Sequence, residues 1–77
     1  MTGRRVHVGS HVRITAETPE GISLEGMVRL RPGQTIELVM PGQDGATPTT
    51  RVASVTSWAI VRLGHDGPTY AGRCAWV

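Results

Sequence analysis

Hydrophobic and polar residues alternate along much of the chain, and this spacing of two predicts β-strands. The clearest case is residues 22–30, where Ile, Leu, Gly, Val and Leu occupy every second position and Ser, Glu, Met and Arg lie between them. A similar alternation covers residues 35–40. It also covers residues 6–14, with a break at Gly9 and Ser10 that predicts either one bulged strand or two short strands. Each of these strands should bury one face and expose the other.

The second half of the chain predicts a β-hairpin. Residues 50–63 form the longest extended run and are rich in Val, Thr, Ile and Trp. A Gly- and Pro-containing stretch, residues 64–68, separates this run from a final strand at residues 69–77. Two such strands joined by a short turn are expected to pair with each other.

Three further segments have the composition of turns or loops. Residues 18–21 and 31–34 each contain a proline and a glycine. Proline presets φ for a turn, and we expect Gly21 to adopt the positive φ that completes the first one. Residues 41–49 contain two prolines, two glycines and almost no apolar side chain, which predicts a mobile loop.

These elements predict an all-β fold made by one domain, residues 1–77. No window of 11 residues shows helical spacing of apolar positions without interruption by Gly, Pro or a Thr/Val cluster. Five or six strands with short turns favour a small antiparallel β-barrel. Since a chain of this size buries only about 60% of its unfolded surface, we also expect self-association or docking on a protein partner.

Charge and aromatic content argue against nucleic acid as the ligand. All eight basic residues are arginine, and with six acids they give a net charge of only +2. The arginines are scattered from Arg4 to Arg73, whereas nucleic-acid binders concentrate them on one face. The three aromatic residues, Trp58, Tyr70 and Trp76, are not interleaved with arginines as in single-strand binders. A small β-barrel that binds RNA or DNA stays an alternative because the isoelectric point is high.

Cysteine and histidine usage gives no catalytic or metal site. The single Cys74 excludes an internal disulfide and is expected to be a small buried side chain. On one continuous strand His7 and His11 would lie roughly 13 Å apart, too far to share a metal ion. His65 and Asp66 fit a surface turn better than a catalytic dyad. We therefore expect no enzymatic activity and no bound metal or cofactor.

Location and partner surface follow from two simpler observations. The chain has no run of about 18 apolar residues and no apolar core of a secretory signal, so we expect a cytoplasmic protein without membrane insertion. The tryptophans Trp58 and Trp76 are expected to pack in the core. Alternatively, either of them serves as an anchor for a protein partner, because tryptophan is enriched at interface hot spots.

The segment Gly21-Ile22-Ser23-Leu24-Glu25-Gly26, with Arg4 and Arg5 upstream and a Pro-Gly turn downstream, resembles the PilZ domain. PilZ domains are small bacterial β-barrels with the pattern Arg, three residues, Arg, followed by Asp/Asn-x-Ser-x-x-Gly. The resemblance spans most of the chain. It implies cyclic di-GMP signalling, with Arg4, Arg5, Ser23 and Gly26 as the ligand-binding residues.

Two positions depart from the PilZ pattern. Gly21 occupies the acidic or amide position, and Val8 and Gly9 stand where a second arginine would follow Arg4 or Arg5. Each lost charge-assisted contact is worth about 1.5 to 3 kcal/mol, so two losses weaken binding roughly 100-fold to 10,000-fold. We therefore expect a PilZ-like signalling module with weak or lost nucleotide binding and a role in protein–protein interaction. The alternative is a true cyclic di-GMP receptor, in which Arg13, Arg29 or Arg31 substitutes for the missing groups.

Overall fold

The computed structural model describes residues 4–43 and 45–77, and this part of the chain consists of β-strands, turns and loops. It contains no helix, and so none that could cross a membrane. The six strands are β1 (Arg4–His7), β2 (Val12–Glu17), β3 (Gly21–Gly26), β4 (Thr35–Met40), β5 (Thr49–Gly64) and β6 (Gly67–Trp76). They form one sheet in the order β1-β4-β5-β6-β3-β2. The predicted all-β class is confirmed. Of the two alternatives for residues 6–14, the structure has the two short strands, β1 and β2.

The sheet is mixed, so the prediction of a purely antiparallel sheet is wrong. β1 runs parallel to β4, while the other four strand pairs are antiparallel. The parallel pairing places Val6 opposite Leu38, and both side chains are fully buried, which stabilises this arrangement. One isolated bridge joins Val8, which follows the edge strand β1, to Val12, the first residue of the other edge strand β2. Because the ladder does not continue beyond this bridge, a closed barrel stays a prediction.

The hydrophobic core is assembled from the alternating positions of the strands. Its buried members are Val6, Val12, Ile22, Leu24, Val28, Leu30, Ile36, Leu38, Ala53, Val55 and Cys74. The predicted strand 22–30 is too long, since β3 ends at Gly26. Val28 and Leu30 are nevertheless buried, and the carbonyl oxygen of Val28 accepts a hydrogen bond of 3.0 Å from the indole N–H of Trp58. The segment after β3 thus keeps its place in the core without belonging to the sheet.

The predicted hairpin is confirmed and is the longest feature of the fold. β5 pairs with β6 from Ala53 opposite Trp76 to Gly64 opposite Gly67, with two bulges in β5. β4 pairs with β5 only as far as Ser54, and β3 pairs with β6 only as far as Tyr70. The hairpin therefore extends beyond both of its neighbours. We call its outer part, residues 60–70, the hairpin tip.

The two predicted turns are present, but one glycine differs from expectation. The Pro-Gly turn at residues 31–34 has Gly33 at φ 89° and a hydrogen bond of 3.0 Å from the Gln34 N–H to the Arg31 carbonyl. In the turn at residues 18–21, Thr18 and Gly21 exchange backbone hydrogen bonds of 2.9 and 3.3 Å. The φ angle of Gly21 is not positive, so that prediction is wrong. A Cβ on Gly21 would overlap the carbonyl oxygen of Cys74, so glycine is needed there for the close approach of β6.

Candidate functional site

Three arginines line one open depression on the surface, which we call the arginine depression. Its lining residues are Arg4, Arg29, Arg31, Pro32 and Gln34, and its volume is about 670 Å³. Arg4 lies at the start of β1, and the other residues belong to the segment between β3 and β4. Nη1 of Arg4 donates a hydrogen bond to the backbone carbonyl oxygen of Arg29, with 3.3 Å between the nitrogen and the oxygen. This contact joins the N-terminal strand to the connecting segment.

The connecting segment is held in place by hydrogen bonds to its own side chains and to β5. The Arg31 N–H donates to Oε1 of Gln34 over 3.0 Å. The Gly33 N–H donates to the Val55 carbonyl over 2.7 Å, and the Val55 N–H donates to the Gln34 carbonyl over 2.8 Å. Arg29 and Arg31 therefore project from a backbone that the sheet anchors.

The arginine depression is suited to an anion. Among the described residues that line it, none is acidic. In the part of the chain that the structure describes, the side-chain ion pairs within 4.0 Å involve Arg5, Arg13 and Arg62 instead of the three lining arginines. Guanidinium groups bind phosphate oxygens through two parallel N–H bonds, and they also stack on planar bases. The three guanidinium groups, which make no ion pair with the described carboxylates, can thus hold a phosphate-bearing ligand.

A second depression lies beside the Ser23 side of β3 and is more neutral. Its lining residues are Ala16, Thr18, Glu20, Gly21, Ile22, Ser23, Thr56, Arg73, Cys74 and Ala75. We call it the Ser23 depression; its volume is about 470 Å³. Its described lining residues include one guanidinium group, from Arg73, and one carboxylate, from Glu20. Among the residues named for the two depressions, none is shared.

The four ligand residues expected from the PilZ resemblance are not gathered in one depression. Arg4 lines the arginine depression, whereas Ser23 lines the other. Arg5 lies opposite Glu37 in the β1–β4 ladder, with Nη2 3.8 Å from Oε1 of that carboxylate. Gly26 is covered by β2, since a Cβ there would overlap the His11 carbonyl and lie 2.8 Å from Cα of Val12. Their roles in ligand binding stay a prediction.

Sequence reasoning named Arg29 and Arg31 only as substitutes, and it missed Gln34. The signal that could have found this group is the Pro-Gly turn, which brings Gln34 back to Arg31. The meeting of Arg29 and Arg31 with Arg4 depends on the parallel β1–β4 pairing, which local alternation does not reveal. The third named substitute, Arg13, is engaged elsewhere, because its Nε and Nη2 groups lie 3.1 and 2.7 Å from Oε1 of Glu25.

The two N-terminal histidines lie closer together than the sequence predicts. Their ring centroids are 5.4 Å apart in an edge-to-face arrangement, and the His7 N–H donates to Nδ1 of His11 over 3.0 Å. The estimate of roughly 13 Å was wrong because it assumed one continuous strand. The chain instead turns at Gly9, with φ 101°. In the described ranges, no group of three or more His, Cys, Asp or Glu side chains is arranged to hold a metal ion.

Both tryptophans pack against the core and are hydrogen-bonded within the chain. Trp58 is half-buried, and its indole N–H is the donor to Val28 described above. The Trp76 indole N–H donates to the Thr18 carbonyl over 3.3 Å, and the guanidinium carbon of Arg51 lies 3.9 Å from the Trp76 ring centroid. The predicted core role is confirmed. A second role as a partner surface stays a prediction for the exposed parts of both rings.

Cys74 is a buried thiol in β6, as the sequence predicts. Burial disfavours the charged thiolate, and this raises the pKa of Cys74 from 9.0 to about 11. The thiolate is the nucleophilic form of cysteine, so the side chain is unreactive near neutral pH. Cys74 therefore contributes to packing.

Replacing Gly26 by alanine should lower the free energy of unfolding by about 1 to 3 kcal/mol, because the added methyl group collides with the β2 backbone. The matched control is Gly64→Ala, where the nearest contact of the new Cβ is an ordinary 3.9 Å. The control should stay within about 0.5 kcal/mol of wild type. Urea denaturation followed by tryptophan fluorescence measures both. Equal stability of the two variants would contradict the close packing of β2 on Gly26.

Stability should fall as the pH rises from 9 to 11, owing to Cys74. The unfolded thiol ionises near pH 9, while the folded thiol keeps its proton until about pH 11. The stabilisation is complete below pH 9 and is lost through this window, amounting to roughly 2 to 3 kcal/mol. Urea denaturation at several pH values, compared with Cys74→Ala, isolates this contribution. A pH dependence identical in the two proteins would show that Cys74 is not the cause.

Comparison with known proteins gives no match. No family model matches the chain, and neither a curated protein nor a solved structure matches it. A functional assignment therefore depends on the residues and the geometry described above.

Proposed function

We propose that this protein is a non-enzymatic, PilZ-like module of bacterial cyclic di-GMP signalling in the cytoplasm, with weakened nucleotide binding and a function in protein–protein interaction. The proposal includes a PilZ-like barrel, and the isolated bridge from Val8, just after β1, to Val12 of β2 supports it. The observation that carries it is the separation of the charged and polar parts of the expected ligand site. Three arginines line one depression, while Ser23 lines another.

The arginine depression supports residual affinity for phosphate. Its guanidinium groups are exposed to water, so each contact to an anion is screened and contributes less than a buried one. A cyclic dinucleotide also presents two guanine bases, whose recognition needs stacking surfaces and fixed hydrogen-bonding groups. Arg4, Arg29 and Arg31 supply charge, and Pro32 and Gln34 complete the lining. This composition fits weak attraction of the phosphates better than tight binding of the whole nucleotide.

Gly21, the first residue of β3, supports the same proposal. The PilZ pattern has an acidic or amide side chain at this position. Here a side chain would overlap the backbone carbonyl of Cys74, because β6 lies directly against Gly21. The missing hydrogen-bonding group therefore cannot be supplied at this position without moving β6.

A true cyclic di-GMP receptor is the second candidate, and one observation favours it. Arg29 and Arg31 join Arg4 in one depression whose described lining contains no acidic residue, so they could replace the second arginine of the pattern. In that case the guanidinium groups stack on guanine as well as binding phosphate. The affinity for cyclic di-GMP distinguishes this receptor from the module with weakened binding.

Titration with cyclic di-GMP, followed by nuclear magnetic resonance of the ¹⁵N-labelled protein, tests the proposal. We expect a Kd weaker than about 10 μM, a binding free energy less favourable than about −7 kcal/mol. The shifts should centre on residues 4 and 29–34. Replacing Arg29 and Arg31 by alanine should weaken binding at least tenfold. The matched control is Arg73→Ala, which removes an exposed arginine from the Ser23 depression and should leave the affinity unchanged.

Several outcomes of this titration would contradict the proposal. A Kd below about 10 μM would establish the receptor instead. Shifts centred on Ser23 and Arg73, with loss of binding in Arg73→Ala, would place the ligand in the other depression. Retention of an oligonucleotide that weakens steeply with added salt would favour the nucleic-acid alternative.

A further inference from the structure

The hairpin tip leaves a group of large apolar side chains in contact with solvent. Met27, Ile60, Val61 and Leu63 have exposed fractions of 51%, 54%, 57% and 77%. Three of them lie within four consecutive residues of β5. The Met27 methyl group lies beside the tip, 3.7 Å from the position of a Cβ on Gly67. We call these four residues the tip patch.

Part of the tip patch continues the buried face of the hairpin. Trp58 packs against the core, and Ile60 lies two positions further along β5, opposite Tyr70. After the bulge at Val61, Leu63 lies opposite Pro68. The face that is buried near the core therefore emerges into solvent with its apolar character unchanged, since β4 stops pairing at Ser54 and β3 reaches the tip only at Tyr70.

The main chain beside the tip patch is also unpaired on one side. β4 stops pairing at Ser54, so residues 57–64 of β5 have a ladder partner only in β6 within the described part of the sheet. Such an edge is a template for further pairing unless charges, proline or a bulge protect it, and here the bulge at Val61 interrupts it once. From Thr56 to Gly64 the only charged residue is Arg62, and there is no proline.

We propose that the tip patch is the contact surface of a symmetric dimer, with a second copy of this chain as the occupant. Each of the four residues is more than half exposed. A standard interface buries ~800 Å² on each partner, so the contact also needs the surface that flanks the patch. The flanking strand edge and Tyr70 extend the same surface. A two-fold contact places this patch against its own copy, so that both apolar surfaces leave water together.

Charge supports a second copy over a charged partner. The tip patch carries no acidic or basic side chain, and Arg62 is directed to Glu25, with Nη2 3.9 Å from Oε1. In an antiparallel contact centred on Ile60 or Val61, Arg62 lies opposite Trp58 or Ile60 of the second copy. Two arginines therefore do not face each other, and the symmetric arrangement has no like-charge penalty.

This inference deepens the interaction part of the proposed function and is independent of nucleotide binding. Sedimentation velocity at protein concentrations from about 5 to 500 μM measures dimerisation. The 8.3 kDa chain should shift toward a dimer as the concentration rises. Leu63→Glu should weaken dimerisation at least tenfold. The matched control is Val77→Glu, at a position 84% exposed and outside the tip patch, which should dimerise like wild type.

Nuclear magnetic resonance spectra recorded on dilution locate the surface even if a variant folds poorly. In the wild-type protein, the signals that move should belong to Met27 and residues 60–70. Leu63→Glu should keep the wild-type affinity for cyclic di-GMP, so failure of the dimer and failure of the signalling proposal give different results.

A protein that stays monomeric at 500 μM would overturn the inference. So would a dimer that Leu63→Glu leaves intact, or dilution shifts that map elsewhere. Binding of the monomer to phosphatidylglycerol vesicles through the tip patch would assign the surface to a membrane instead.

Discussion

The fold depends on the close backbone approach of β3 to the strands on either side of it. On one side Gly26 lies against the backbone of Val12, and on the other Gly21 lies against the carbonyl of Cys74. The neighbouring Gly72 of β6 is equally confined, since a Cβ there would overlap the Ser57 carbonyl and lie 2.7 Å from Cε3 of Trp58. Glycine at these positions lets the sheet curve tightly enough for Ile22, Leu24 and Cys74 to share one core.

This constraint changes how the PilZ-like segment is understood. Two of its glycines have a sufficient structural reason, because neither position admits a side chain without moving a neighbouring strand. Ser23 and Glu25 lie between these glycines in β3, and their side chains are partly exposed. Glu25 accepts contacts from Arg13 and Arg62, so it organises charges on the solvent side of the sheet. The main role of the segment is thus structural, and Ser23 is the one residue in it that stays available for a ligand.

Much of the fold could be predicted from the sequence because alternation reports which face of a strand is buried. The strand at residues 35–40 follows from alternation. The strand at residues 50–63 follows from its β-rich composition, the hairpin from the Gly- and Pro-containing turn, and the burial of Cys74 from its small apolar side chain. Alternation does not report which strands become neighbours, so the parallel pairing of β1 with β4 was missed. The meeting of Arg4 with Arg29 and the approach of His7 to His11 were missed for related reasons. Each depends on where the chain turns or pairs over a long separation.

The Gly21→Asp variant tests the central claim most directly, because it restores the side chain that the PilZ pattern has at this position. If β6 lies against Gly21 as described, the variant should lose about 1 to 3 kcal/mol of unfolding free energy and gain no affinity for cyclic di-GMP. A variant as stable as wild type that binds cyclic di-GMP at least tenfold more tightly would contradict the account.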